Sequence, residues 1–280
     1  MVQLSLFGPG PTAPPPKPAG DGVVRLRVLI TVKAAPQPSA KYGETVCVAG
    51  VNLDLQRPGW VRLYPINFRD LSSDARFRKY DIVSLDARPA QADQRRESWN
   101  PILTSISRET HLRTWHQRRG WLDPYLEDSM CALNRAVRER PDAQSLALVR
   151  PKDIDGLLIT QHPGWTPEEQ RKIDAYVRQP ALFADHERIP LEAPRFQAAY
   201  RYRCHDPQCR GHKQGCLDWE LVAFQRNFRH ASDAELRHAL EEKFLHQMCA
   251  PDREVAFYVG NQAKRVHVFS VLGVYWPPRR

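Results

Sequence analysis

Val24-Arg25-Leu26-Arg27-Val28-Leu29-Ile30-Thr31-Val32-Lys33 alternates with a period of two. Val24, Leu26, Val28, Ile30 and Val32 fall on one face and Arg25, Arg27 and Lys33 on the other, the pattern of a strand with one side in a core. Further strand candidates follow at Thr45 to Val51, Trp60 to Pro65 and Ile82 to Ala87, so residues 23–105 are expected to form a small barrel or strongly bent sheet. Beyond residue 105 the period moves toward 3.6. Ser107 to Arg119 reads as a helix closed by Gly120, and Asp123-Pro124 opens another running to about Arg140. Thr166-Pro167-Glu168-Glu169 and Ser232 to Glu235 are capping boxes, each opening a further helix. Strands are expected near Ser145 to Val149, Leu157 to Thr160, Glu254 to Val259 and Val266 to Tyr275. The fold class is therefore α+β: a β-rich subdomain over 23–105, then helices and a Cys/His loop on a mixed sheet over 106–280.

The chain has 280 residues, 42% hydrophobic and 26% charged, a globular composition with enough length for a sizeable core. Its apolar runs are far shorter than the roughly 20 residues of a membrane helix, and the N-terminus lacks the pattern of a secretory signal. A cytoplasmic, nucleoid-associated location is the expectation. The 41 Lys and Arg against 32 Asp and Glu leave a net charge of +9, which favours a polyanionic partner such as nucleic acid. The phosphate-binding, dinucleotide-binding, nucleophile-elbow and His-Glu-x-x-His patterns are all missing from the sequence, which takes support from motor NTPases, dinucleotide enzymes and common hydrolases.

Cys204, Cys209, His212 and Cys216 are spaced Cys-x4-Cys-x2-His-x3-Cys, which resembles a zinc knuckle with altered intervals. Three thiolates and an imidazole suit tetrahedral Zn2+ in a structural role. The uneven spacing leaves room for His205 or Cys249 in place of Cys216, and an iron–sulfur cluster on Cys204, Cys209, Cys216 and Cys249 is the competing ligation. Cys47 and Cys131 read as core thiols. Past this loop, Cys216 to Leu221 reads as a strand with Asp218 and Glu220 on one face, a spacing at which two carboxylates can share acid and base roles. If the protein is an enzyme of the nuclease or glycosylase class, these two and the lone acid Glu44 are its candidate catalytic residues. Glu241-Glu242-Lys243 resembles a nuclease signature but falls in a helix, where positions i and i+2 point apart. Trp60, Arg62 and Tyr64 share a strand face and combine stacking with phosphate pairing; Arg69, Lys79, Arg118 and Arg119 extend this candidate nucleic-acid surface.

Gln3-Leu4-Ser5-Leu6-Phe7 resembles, at each of its positions, the pentapeptide by which bacterial polymerases and repair factors attach to the sliding clamp. The resemblance implies that Leu6 and Phe7 are apolar anchors, Leu4 a further contact and Gln3 the orienting polar group. Residues 8–22, with prolines at 9, 11, 14, 15, 16 and 18, read as a disordered linker that favours extended conformations and reaches roughly 40 Å. Segments around Lys41 to Val46, Trp60 to Pro65 and the Cys-rich loop look similar to a family of bacterial proteins, and that likeness implies no function. The expected function is a DNA-binding protein recruited to the clamp, acting on single-stranded or damaged DNA in repair or replication-associated processing. A zinc-containing RNA-binding module and a metal-dependent nuclease of mobile-element defence are the alternatives.

Overall fold

The computed structural model describes residues 18, 20–54, 59–68, 71–140, 142–178 and 189–280. It is an α+β protein built on two seven-stranded sheets. The first holds β1 (Val24–Lys33), β2 (Gln37–Ser39), β3 (Gly43–Asn52), β4 (Gly59–Ile66), β5 (Asp81–Pro89), β6 (Ser98–Pro101) and β7 (Ser107–His111). β1 pairs antiparallel with both β3 and β5, β3 with β4, and β5 with β6, while β4 and β6 run parallel. Those five strands close a ring. This order is that of a five-stranded Greek-key barrel of the OB type, in which the second and third barrel strands commonly carry the ligand face. β2 and β7 add at the margins, on β3 and β5. Leu26, Val28, Ile30, Val48, Leu63, Val83, Leu85 and Trp99 fill the barrel.

The alternation in β1 is real up to Ile30 and then breaks. The register shifts between Ile30 and Val32, and this bulge turns Val32 out of the barrel core to join Leu29 in a different cluster, as an extra residue on one strand must. Opposite it, Gly50 pairs with Ile30, and a side chain at 50 would collide with the Leu29 carbonyl oxygen.

The second sheet has β8 (Leu126–Glu127), β9 (Leu146–Val149), β10 (Asp153–Gln161), β11 (Phe196–Arg203), β12 (His212–Cys216), β13 (Ala256–Gln262) and β14 (Arg265–Tyr275), in the order β10-β11-β12-β14-β13-β9-β8. Around the sheets lie α1 (Trp115–Leu122), α2 (Met130–Glu139), α3 (Pro167–Val177), α4 (Trp219–Arg226) and α5 (Asp233–Glu241). Both capping boxes form: Thr166 with Glu169 opens α3 and Ser232 with Glu235 opens α5. Three expectations give way. Ser107 to His111 is a strand on the barrel margin, and the helix starts later, at the Thr114–Gln117 capping box. Asp123-Pro124 makes a single 3-10 turn; Leu126–Glu127 then pairs with β9, and Ser129 caps a fresh helix, α2. The strand expected over Cys216 to Leu221 ends at Cys216, because the Asp218 carboxylate accepts from the Glu220 N–H and so caps α4.

A third core lies between the sheets. Leu29, Val51 and Trp60 of the barrel pack with Leu146, Leu148, Tyr258 and Leu272 of the second sheet, so each sheet buries both faces over this area. Among the described residues, no helix is long and apolar enough to cross a membrane. Gly50→Ala is expected to destabilise the protein by about 3 kcal/mol, since the obstructing atom is backbone and cannot swing aside; a urea titration of both forms measures it.

Candidate functional site

Two sites emerge from the second sheet and its seam with the barrel. The hairpin of β11 and β12 carries Cys204 at its first end, Cys209 in its turn and His212 at its second start. Ser129, donating to Asp206 Oδ2 at 3.2 Å, and Arg135, donating to the same atom at 2.7 Å, dock the N-terminal turn of α2 on this loop. That docking brings Cys131 in. Its Sγ lies 3.7 Å from Cys204 Sγ and 3.6 Å from His212 Nε2, and His212 Nε2 is 3.4 Å from Cys204 Sγ and 3.3 Å from Cys209 Sγ. All four donor atoms lie within 4.8 Å of one another. The backbone N–H groups of Cys204 and Gly211 donate to Cys209 Sγ, each at 3.4 Å, and Gly211 adopts φ +99° to make that turn, a conformation that glycine tolerates. Burial works against a charged Cys204, yet hydrogen bonds from His212 and the backbone bring its thiol down to about 6. The cluster can hold one metal ion.

Its membership corrects the sequence expectation at one position. Cys216 shares the strand with His212, but four residues of strand put it about 13 Å further on; it pairs with Ala198 and Val271 and lies in the apolar core. Neither His205 nor Cys249 is among the gathered donors, and the Cys249 thiol lies beside the Phe244 carbonyl instead. Cys131, read as a core thiol, completes the set. No interval in the sequence links it to Cys204. The set Cys204, Cys209, Cys216 and Cys249 is not gathered, and the three thiols that do meet are too close together for a multi-iron cluster between them.

The second site is a cavity of about 420 Å³ where the lobes meet, lined by Arg78, Lys79, Tyr80, His111, Trp115 and Arg118 on the barrel side. From the other lobe come Glu220, Phe224, Lys243, Phe244, Met248 and Trp276. Lys79 donates to the Val274 carbonyl at 3.1 Å and lies 3.8 Å from Glu220 Oε2. Burial disfavours its ammonium, but Glu220, Tyr80 and Asp218 outweigh that and raise its pKa. Burial pushes Asp218 up to about 7, with Glu220 adding to the shift and Lys79 and Lys33 opposing it. Asp218 and Glu220 therefore do not form an exposed pair: the first is 4% exposed beneath α4, the second faces Lys79. His111 Nδ1 meets the buried Asp81 carboxylate at 2.7 Å.

The remaining candidates scatter. Trp60 and Arg62 are 8% and 4% exposed, enclosed in the seam, where Arg62 donates to the Ser145 carbonyl and hydroxyl at 3.2 and 3.1 Å. Tyr64, beyond the covered area, is exposed. Arg119 is buried against Glu254 at 2.7 Å. These three charged or aromatic groups, Trp60, Arg62 and Arg119, thus hold the lobes together and are closed to nucleic acid. Lys79 and Arg118 face the cavity. Glu44 is buried in β3 opposite Pro38. Arg69 and the peptide Gln3 to Phe7 lie outside the described residues.

Two outcomes follow from this geometry. Cys131→Ser is expected to lower metal content from about one ion per chain to a small fraction, whereas Cys216→Ser keeps it, as elemental analysis of the purified variants reads. For Asp218, a folded-state value raised from 3.8 to about 7 means the folded form holds a proton the unfolded form has lost. Its contribution to stability therefore declines as pH rises through that window and is level above it. Asp218→Asn keeps the helix cap and is expected to lose less stability than the parent between about pH 4 and about pH 7 in urea titrations.

Residues 24–124 match the model of a domain of unknown function (DUF8758), and residues 126–280 match a second domain of unknown function (DUF8757). Among solved structures, the crystal structure of the tetrameric p202 HIN2 aligns over 93% of this chain and 97% of that one, at 8% identity and a TM-score of 0.28, a likeness too weak to bear on function. With 126–280 making up more than half of its length, the chain belongs to the DUF8757 family.

Proposed function

We propose that this protein is a DNA-binding factor of repair or replication-associated DNA processing, that Gln3 to Phe7 ties it to the bacterial sliding clamp, and that Zn2+ in the Cys131, Cys204, Cys209 and His212 site braces its second lobe. One observation carries the DNA reading. Lys243 and Arg253 both lie over the Trp276 ring, at 5.4 and 5.2 Å. Lys243 and Trp276 line the cavity between the lobes, while Arg253 lines a neighbouring groove of about 480 Å³ with Arg150, Lys152, Arg279, Arg280 and the acid Glu254; Arg150, Arg253 and Arg280 also pair with Asp128, Asp252 and Asp123 beyond its lining. Trp276 thus lines the first recess and carries on its ring the Arg253 of the second, and cations laid on aromatic faces along a positive channel are what a single strand binds. The usual ligand face of the barrel is buried in the seam, so this channel takes over the role first expected of Trp60 and Arg62.

Zinc is favoured by size. Bonds of about 2.3 Å to sulfur and about 2.0 Å to nitrogen at tetrahedral angles give edges of about 3.8 Å between sulfurs and about 3.5 Å between sulfur and nitrogen. The distances of 3.7 Å and of 3.3, 3.4 and 3.6 Å agree. Four protein ligands leave no open position, so the ion's work is to fix α2 to the β11–β12 hairpin. A nuclease that binds a cation through Asp218 and Glu220 loses ground, because the first is a buried helix cap. Tethering through the proline-rich linker raises the local concentration of the body at DNA without new contacts, so the channel's own affinity can be modest.

Fluorescence anisotropy with labelled single-stranded DNA is expected to give a slope of about −3 for log K against log salt, that of four neutralised phosphates. Arg253→Ala with Arg279→Ala is expected to weaken binding about tenfold, as the loss of two phosphate contacts should. RNA displacing DNA at equal salt would favour the RNA-binding module instead. Leu6→Ala with Phe7→Ala is expected to abolish capture by the clamp and leave DNA binding unchanged; capture that persists removes the recruitment reading.

A further inference from the structure

We infer that the cavity between the lobes is a nucleotide site: it takes one unstacked nucleotide of the bound strand, with the base among the aromatic walls and the phosphate on Arg118 and Lys243 above the buried Lys79. This deepens the DNA-binding reading and rests on it. A volume of about 420 Å³ falls in the range of small-molecule pockets and suits one base with its sugar. The walls are fixed in advance. Trp115 meets Tyr80, Tyr275 and Trp276 edge to face at 5.9, 5.6 and 5.8 Å, so the rings brace one another and an entering base orders little else.

The charges are arranged for an anion at the mouth. The Arg118 guanidinium lies 4.1 Å over the Tyr80 ring and 4.7 Å over Trp115, held there by bonds to the Leu112 and Arg113 carbonyls at 2.9 and 3.1 Å. Those bonds go to neutral acceptors, so the guanidinium keeps its charge for a ligand. Lys79 is only 12% exposed in its side chain and pairs with Glu220 at 3.8 Å, longer than a good charge-assisted hydrogen bond, while the buried Asp218 carboxylate also attracts it. Glu220, 46% exposed, stands at the place a phosphate would occupy and competes with it.

The backbone adds an independent mark. Tyr80 has φ +70°, a conformation that costs a bulky residue free energy and persists where the surroundings over-determine it, as at ligand sites. Its N–H donates to Ile30 O at 2.7 Å and its carbonyl accepts from Leu112 N at 3.0 Å. Those two bonds pin the turn that places the Tyr80 ring, with Arg118 on it, at the cavity wall.

The test uses 2-aminopurine deoxynucleoside 5′-monophosphate, its unphosphorylated nucleoside, and single-stranded DNA carrying one 2-aminopurine, with tryptophan and 2-aminopurine fluorescence as readouts. Saturable quenching of tryptophan emission by the monophosphate is expected. Glu220→Gln should tighten the monophosphate about threefold and leave the nucleoside unchanged, because only the phosphate competes with the carboxylate. Arg118→Ala should weaken the monophosphate about tenfold, with an unchanged urea midpoint certifying the fold. Lys152→Ala with Arg279→Ala should weaken the strand but not the monophosphate. Absence of a saturable signal from the monophosphate, or affinities that neither Glu220→Gln nor Arg118→Ala moves, overturns the inference even if the strand binds. A monophosphate that binds as described while the strand does not upholds the cavity as a free-nucleotide site and overturns the DNA reading.

Discussion

The seam between the two sheets is the constraint on which the rest depends. Arg62 sits in it at 4% exposure, and a guanidinium taken out of water must be met by acceptors. Ser145 provides two, through its carbonyl and hydroxyl, while its own N–H donates to the buried Glu97 carboxylate at 2.6 Å. Gly260 makes the approach possible, because a side chain there would lie 2.6 Å from Leu272 and 3.3 Å from Arg62. Arg95, donating to the Asn261 carbonyl at 2.8 Å, and Arg119 on Glu254 extend the polar ties. Around them Leu29, Val51, Trp60, Leu146, Tyr258 and Leu272 exclude water. The second sheet thereby covers Val51 and Trp60 of the barrel, and the cavity opens at the edge of the seam.

The cluster of Cys131, Cys204, Cys209 and His212 lies within the second lobe. α2 and the β11–β12 hairpin are separated by 73 positions between Cys131 and Cys204, and a metal ion that joins them closes a long loop. Binding of an ion to the folded site alone stabilises the whole by linkage. The cluster is set apart from the cavity between the lobes, whose lining holds no residue of the four.

How much of this was legible in the sequence depends on how local each signal is. The capping boxes at Thr166 and Ser232 involve residues three apart, and both helices begin where they should. The barrel strands were readable because half of each repeats with period two. What failed was what a distant segment decides. Val32 leaves the barrel core through a bulge set against Gly50. Trp60 and Arg62 do share a face, but alternation cannot say whether water or a second sheet covers it. Asp218 looked like a strand carboxylate since the cap it makes has no glutamate three residues on to announce it. Cys131 was invisible as a ligand because its partners arrive from a hairpin more than seventy residues later. The cavity is partly legible: Lys79, Arg118 and Glu220 are named from the sequence, Glu220 as half of an acidic pair, whereas Trp115, Lys243 and Trp276 join them only in the folded chain.

The most direct measurement is hydrogen–deuterium exchange of the full chain with and without single-stranded DNA. A strand lying across Trp276 should slow exchange in segments 78–81, 112–118, 243–248 and 250–254 and leave 59–63, sealed in the seam, as it was. Protection confined to 59–63 and its β3 neighbours would mean that the lobes part and the barrel face binds after all, and would contradict the assignment of the channel.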